Sequence, residues 1–277
     1  MGPRRRNYRD RTVVISGAAG GLGRALSLRF GLLGASLGII DKEEDALRRL
    51  SRELTDRGIK NTPVILDITK EKDCGRALAS ISETLGGTYT LVNNAGITHR
   101  SSFVKTRPGV FRRVMDVNFF GSLYLTKAAL PSLIASKGQI IVISSIAGFA
   151  PLLGRPGYAA SKHALQGLFS SLRPELSRYG ITITIACPGF TKTGIDKNAL
   201  DWDGSRTVHP QSTLGTVADP WKTAGVIIHG ATKNRPLVIH STIGRITYLL
   251  MKMAPGVYER IMARSLRTEL DRHYHPE

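Results

Sequence analysis

Short apolar runs rich in β-branched residues alternate along the chain with longer stretches whose apolar positions recur at helical spacing. TVVIS (12–16), LGII (37–40), PVIL (63–66), YTLV (89–92), QIIVIS (139–144), ITITIA (181–186) and PLVIH (236–240) read as strands, and amphipathic helices fill the gaps. Strands that are apolar at consecutive positions are buried on both faces. With helices between them, they imply an α/β fold: a doubly wound, parallel, seven-stranded, Rossmann-like sheet with helices on both faces. Such a sheet binds ligands at the carboxyl ends of its strands. No linker composition divides it, so residues 12–240 are expected to form one domain.

Beyond the last strand the pattern is helical again. Ile243, Ile246, Leu250 and Met253 share one face, Pro255 and Gly256 interrupt it, and Val257, Ile261, Met262 and Leu266 resume it. Residues 241–277 are therefore expected to form an amphipathic helical extension that covers the pocket or a partner subunit. A second reading lays this basic, apolar tail on an anionic membrane, as a peripheral contact.

The 277 residues carry a net charge of +18, a balance that raises nucleic acid and anionic membranes as partners. Arginines are spread among acidic neighbours, as in EEDALRRLSREL, and no stretch interleaves bases with aromatics, so no nucleic-acid partner is expected. The exceptions are the ends: Arg4, Arg5 and Arg6 in a basic tail at 1–11, and Arg245, Lys252, Arg260, Arg264 and Arg267. Cys74 and Cys187 lie far apart without a secretory h-region, which points to a reducing, cytoplasmic setting, with membrane association as the tail's alternative. Arg6 occupies the position that myristoylation needs as Ser or Thr. No apolar run is long enough to span a bilayer, and no metal site is expected.

The first strand ends in SGAAGGLG (16–23) and runs straight into a helical pattern. Gly17, Gly21 and Gly23 permit a tight turn and close backbone approach, and the helix N-terminus offers N–H groups to a pyrophosphate. In YAASK, Tyr158 and Lys162 stand four apart and share a helix face. Asp41 closes the second strand, where a carboxylate can accept hydrogen bonds from ribose hydroxyls and repel a 2'-phosphate.

SGAAGGLG, DIT (67–69), NNAG (93–96), Asn118 in MDVNFFG, ISSIAG (143–148), YAASK and CPGFTKT (187–193) together resemble the short-chain dehydrogenase/reductase family in order and spacing, over roughly residues 10–240. Ser16 replaces the usual threonine, Tyr89 stands where an aspartate or histidine is common, and Pro174 is expected to kink the helix that begins near Tyr158. The resemblance implies a dinucleotide-binding and catalytic domain that transfers a hydride between a nicotinamide cofactor and an alcohol or carbonyl compound. It makes Tyr158 the general acid/base, with Lys162 supplying much of the stabilisation of its phenolate. Ser145 becomes the group that hydrogen-bonds the reacting oxygen, and Asn118 the holder of a relay water. The same resemblance assigns cofactor contacts to Gly17, Gly21, Leu22, Gly23, Asp41, Asp67, Ile68, Asn94, Ala95, Gly96, Tyr158, Lys162, Pro188, Gly189, Thr191 and Thr193, and places Asn93 beside the adenosine.

Asp41 makes NAD the expected cofactor, with NADP as the second candidate because Lys42 follows it. Ile97, Phe149, Leu152, Leu153, Phe190 and the loop 194–216 are expected around an apolar pocket without a charged anchor, suited to a lipophilic alcohol or ketone such as a steroid or other lipid. A homodimer or homotetramer is expected. The alternative function is a catalytically silent nucleotide-binding regulator or scaffold, since fold alone does not confer activity.

Overall fold

The computed structural model describes residues 5–208 and 217–265. Its elements alternate as follows: β1 (Thr12–Ser16), α1 (Gly21–Leu32), β2 (Ser36–Asp41), α2 (Glu44–Asp56), β3 (Asn61–Ile65), α3 (Glu71–Leu85) and β4 (Thr88–Asn93). Then come α4 (Pro108–Met115), a π-helical turn (Asp116–Phe120), α5 (Gly121–Ser136), β5 (Gln139–Ile143), a 3-10 turn (Ile146–Gly148), α6 (Pro156–Ser177) and β6 (Thr182–Cys187). The last described elements are α7 (Pro220–Thr232), β7 (Leu237–Ile239), α8 (Thr242–Met253) and α9 (Pro255–Ser265).

All seven strands pair in parallel, in the order β3-β2-β1-β4-β5-β6-β7. Successive side chains of each strand enter different layers. Val13 and Ile15 join Leu26, Phe30, Leu47 and Ile227 on one face, whereas Val14 joins Ile81, Leu125 and Phe169 on the other. The apolar runs are continuous because both faces are covered. Each fully buried Val, Leu or Ile contributes roughly 1.5–3 kcal/mol relative to exposure. Pro63, which cannot donate to a ladder, sits in β3 at the sheet edge, where prolines are tolerated.

The sheet order reverses between β1 and β4, which opens a crevice at their carboxyl ends. The basic segment before β1 is tied into the opposite end of the sheet. Arg6 donates to Asn234 Oδ1 (3.1 Å), Tyr89 Oη (3.2 Å), the Lys137 carbonyl (2.6 Å) and Thr182 Oγ1 (3.0 Å), and buried Tyr8 donates to Gln139 Oε1 (2.9 Å). Tyr89, unusual for its position, is thus a partner for Arg6 and also lies under the Arg11 guanidinium. Helix α6 is continuous through Pro174 to Ser177, with Lys162 about three turns upstream of the proline.

After β7 the chain forms two helices, and α8 sits on the core through its small residues. Gly244 and Thr247 are its buried positions, because the missing side chain of Gly244 lets the helix approach Ile146 and Ile239. Leu250, Met251, Tyr258 and Met262 pack with Ile146, Phe149, Ala150, Leu152 and Leu153. Of the stripe read from the sequence, Ile243, Ile246 and Leu250 line the crevice, whereas Met253 is 84% exposed and does not. Leu266 and Arg267 lie outside the described residues. Among the described residues no helix is long and apolar enough to cross a membrane.

Candidate functional site

The crevice is a cavity of about 1340 Å³, lined by the glycine-rich turn, the ends of β2, β4 and β5, the start of α6, the loop after β6, and helices α8 and α9. Gly17 adopts φ +64°, and a Cβ there would lie 2.7 Å from the Ala95 Cα. A Cβ on Gly23 would meet the Gly17 carbonyl oxygen at 2.0 Å, so only glycine lets α1 start this close to β1. Ser16 locks the turn to β4. Its hydroxyl donates to the Val92 carbonyl (3.3 Å) and accepts from the Asn94 and Ala95 amides (3.1 and 3.2 Å). The Asn94 side chain returns two donations, to the Ser16 and Gly17 carbonyls (3.0 and 2.9 Å).

Every residue the sequence assigned to cofactor contact lines this cavity: Gly17, Gly21, Leu22, Gly23, Asp41, Asp67, Ile68, Asn94, Ala95, Gly96, Tyr158, Lys162, Pro188, Gly189, Thr191 and Thr193. Asn93 does not. Buried, it donates to Thr126 Oγ1 (2.9 Å) beneath α5, because neighbouring strand residues face opposite sides of the sheet. The Thr193 carbonyl accepts from the Gly21 amide (3.2 Å), bringing the loop after β6 over the start of α1.

Asp41 reaches back to the turn, accepting from the Ala19 amide (2.9 Å) and the Glu43 amide (3.2 Å). It therefore both shapes the helix entry and faces the cavity. Lys42 pairs loosely with Glu43 at 3.7 Å. Partial burial pulls the Asp67 carboxyl pKa up, but donations from the Thr69 amide and hydroxyl, with Lys42 and Lys70 nearby, outweigh it and leave it below the usual value.

Ser145, Tyr158 and Lys162 meet at the junction of β5 and α6, and all three line the cavity. Burial pushes the Tyr158 phenol up, against a side-chain hydrogen bond with Ser145 and the nearby Arg155 charge, both of which favour ionisation. Lys162, expected to supply much of the phenolate's stabilisation, follows Tyr158 by one helical turn and lines the same cavity. Its Nζ is drawn to the Ile143 carbonyl (2.9 Å) and stands 5.7 Å from the Tyr158 ring centre. Burial also pulls the ammonium down to about 8.

Asn118 lies in the π-helical turn, a local widening that often marks functional positions. Fully buried, it is not on the cavity wall; its amide donates to the Ile97 carbonyl (3.0 Å) and Ser161 Oγ (2.8 Å) and accepts from the Ile97 N–H (2.8 Å). It thus fastens the loop after β4 to α6. Cys187, buried beneath Lys162, has its thiol pushed up to about 12 by burial and stays neutral.

A sequence model described as short chain dehydrogenase matches residues 11–204, which hold the glycine-rich turn and the Ser145–Tyr158–Lys162 cluster. The chain belongs to the short-chain dehydrogenase family. It is 36% identical over 269 residues to Dehydrogenase/reductase SDR family member 7B of Bos taurus, covering 94% of this chain and 83% of that one. It is 35% identical over 266 residues to an SDR family protein 7-like of Anopheles gambiae, covering 94% and 84%. The fold is shared with a solved short-chain dehydrogenase/reductase from Burkholderia phymatum in complex with NAD, at TM-score 0.80 and 21% identity over 88% of this chain and 94% of that one. A short-chain dehydrogenase from Mycobacterium paratuberculosis bound to NAD aligns at TM-score 0.75 and 24% identity, over 84% and 97%.

Of the apolar residues expected around a substrate, Ile97, Leu152 and Phe190 are on the cavity wall, while Phe149 and Leu153 stand behind it in the cluster that seats α8 and α9. Residues 209–216 of the expected pocket loop lie outside the described residues. The expectation of no charged anchor fails at Arg155, a buried arginine at the N-cap of α6 that lines the cavity. His99, fully buried in the loop after β4, was likewise not singled out. Pro156, which marks the start of α6, was the one signal pointing to Arg155: it makes the preceding residue the helix cap.

Proposed function

We propose that this family member is an NAD-dependent oxidoreductase interconverting a lipophilic alcohol and its carbonyl compound. The observation that carries the reading is one cavity with the glycine-rich turn and Asp41 at one end and Ser145, Tyr158 and Lys162 at the other. The residues fit a dinucleotide: the turn leaves room for pyrophosphate where a Cβ would intrude, and Asp41 stands where ribose hydroxyls can donate to it. NAD, when bound, supplies or receives the hydride. Lys162 would bind the nicotinamide ribose, and Thr191 and Thr193 would hold the carboxamide.

In reduction Tyr158 donates its phenolic proton to the carbonyl oxygen, and Ser145 hydrogen-bonds that oxygen as its negative charge develops. In oxidation Tyr158 takes the hydroxyl proton. Arg155 favours the ionised phenol in either direction.

The wall between these ends and the solvent is apolar at Leu152, Phe190, Leu250 and Met262, which suits a steroid-like or acyl substrate. Residues of α8 and α9 reach this wall, so the extension serves as its cover. The outer face of the extension combines exposed Leu249 and Met253 with Arg245, Lys252 and Arg260, a composition that supports peripheral contact with an anionic bilayer.

Cofactor choice is tested by initial rates at 340 nm with NAD and NADP over a panel of lipophilic alcohols. The wild type is expected to prefer NAD. Asp41→Ala should cut that preference by roughly 10–100-fold, the worth of one or two hydrogen bonds to a charged group plus lost repulsion of the 2'-phosphate. A wild type faster with NADP at equal concentration would assign the selectivity to Lys42 instead.

A further inference from the structure

We infer that His99 is a positioning residue for Tyr158, acting through the first turn of α6. This rests on the acid/base reading of Tyr158. Helix α6 begins with Pro156, which has no N–H, so Gly157 carries the first backbone donor of the helix. The N-cap residue Arg155 makes no side-chain capping bond. The cap comes from 58 residues upstream: the Gly157 N–H donates to His99 Nε2 at 2.9 Å, immediately before Tyr158 in the chain.

That bond requires Nε2 to be the unprotonated nitrogen, and the surroundings enforce this tautomer. His99 Nδ1 lies 3.2 Å from Ser101 Oγ, which is 2.7 Å from Thr106 Oγ1, and Thr106 donates to the Ser102 carbonyl. Read from its fixed end, the chain runs one way: Thr106 gives its proton to the carbonyl, Ser101 donates to Thr106, and Nδ1–H donates to Ser101. Burial, with Arg155 nearby, pulls the imidazole down to about 4, so it remains a neutral acceptor. The ring leans on Phe111 with centroids 5.5 Å apart, and a Cβ on Gly157 would meet Phe111 at 2.9 Å and His99 Nε2 at 3.0 Å.

The same loop is bound to the cavity wall. The Arg100 amide donates to the Leu200 carbonyl (2.8 Å), and the Leu200 amide to the Thr98 carbonyl (2.9 Å). His99 therefore joins the substrate end of the cavity to the turn that aims Tyr158 at Ser145. Releasing the cap frays that turn and moves the phenol away from Ser145 and Arg155, the two groups that favour its ionisation.

The test is a pH titration of protein labelled with [13Cζ]tyrosine in the presence of NAD, the Tyr158 resonance being identified by its absence in Tyr158→Phe. His99→Leu should raise the Tyr158 pKa by about half a unit or more while NAD affinity stays unchanged. His99→Gln, whose side-chain carbonyl can accept from Gly157, should restore the wild-type value. If His99→Leu does not fold, Ser101→Ala, which removes the acceptor that sets the tautomer, should shift Tyr158 in the same sense. A His99→Leu titration matching wild type, a shift that His99→Gln fails to reverse, or a Ser101→Ala titration matching wild type would each overturn the proposal. A wild-type Tyr158 that is insensitive to both NAD and Lys162→Met would overturn the acid/base reading instead, since the effect of His99 is read only as a difference from wild type.

Discussion

Tyr158→Phe is expected to lower turnover by roughly 10²–10⁴-fold, the usual contribution of a positioned general acid/base, with NAD affinity essentially unchanged. The substitution removes one oxygen and keeps the ring, so the packing of α6 against the Ser145 turn persists. Only the proton donor to the reacting oxygen is lost. The loss should appear in kcat and kcat/KM alike, because the interaction is made in the transition state. Steady-state kinetics beside an NAD titration checks it, and a variant retaining more than about a tenth of wild-type turnover would remove Tyr158 from its role.

The second large effect is expected at Gly23→Ala. The added Cβ would sit 2.0 Å from the Gly17 carbonyl and 2.8 Å from the Ala18 Cα, both backbone atoms with no side-chain freedom to yield. Either α1 moves away from β1 or the turn opens. Overpacking of this kind costs about 1–3 kcal/mol or more, a fall in melting temperature of roughly 3–10 °C for a domain of this size. Because the same turn is placed to hold the pyrophosphate, NAD affinity should fall with stability. Calorimetric melting and an NAD titration measure the two effects, and a variant with both values unchanged would show that the turn tolerates a side chain.

Much of this architecture is legible along the chain, for a physical reason. Strands buried on both faces leave uninterrupted runs such as TVVIS and QIIVIS, and the seven runs match the observed strands to within a residue or two at each end. The glycine-rich turn is legible because its constraint is local, and Tyr158 and Lys162 because helix geometry sets their relation. What escapes depends on distant partners. His99 resembles any loop histidine until α6 is folded against it, and Arg155 is defined by the helix it caps. The seat of α8 on the core escapes a periodicity count because large side chains dominate such a count, whereas Gly244 and Thr247 set the contact through their small size. Lys162 is drawn to the Ile143 carbonyl, a backbone acceptor that no side-chain pattern reveals.

The central claim is that Ser145, Tyr158 and Lys162 serve hydride transfer with NAD. Its most direct measurement supplies the alcohols that support turnover, deuterated at the carbinol carbon, together with NAD, and follows the label by mass spectrometry. The expected result is deuterium on the reduced nicotinamide, with the carbonyl product formed in equal amount, in the wild type and not in Tyr158→Phe. Tight NAD binding with no label transferred from any alcohol in the panel, nor from deuterated NADH to the corresponding ketones, would contradict it and leave a nucleotide-binding regulator in its place.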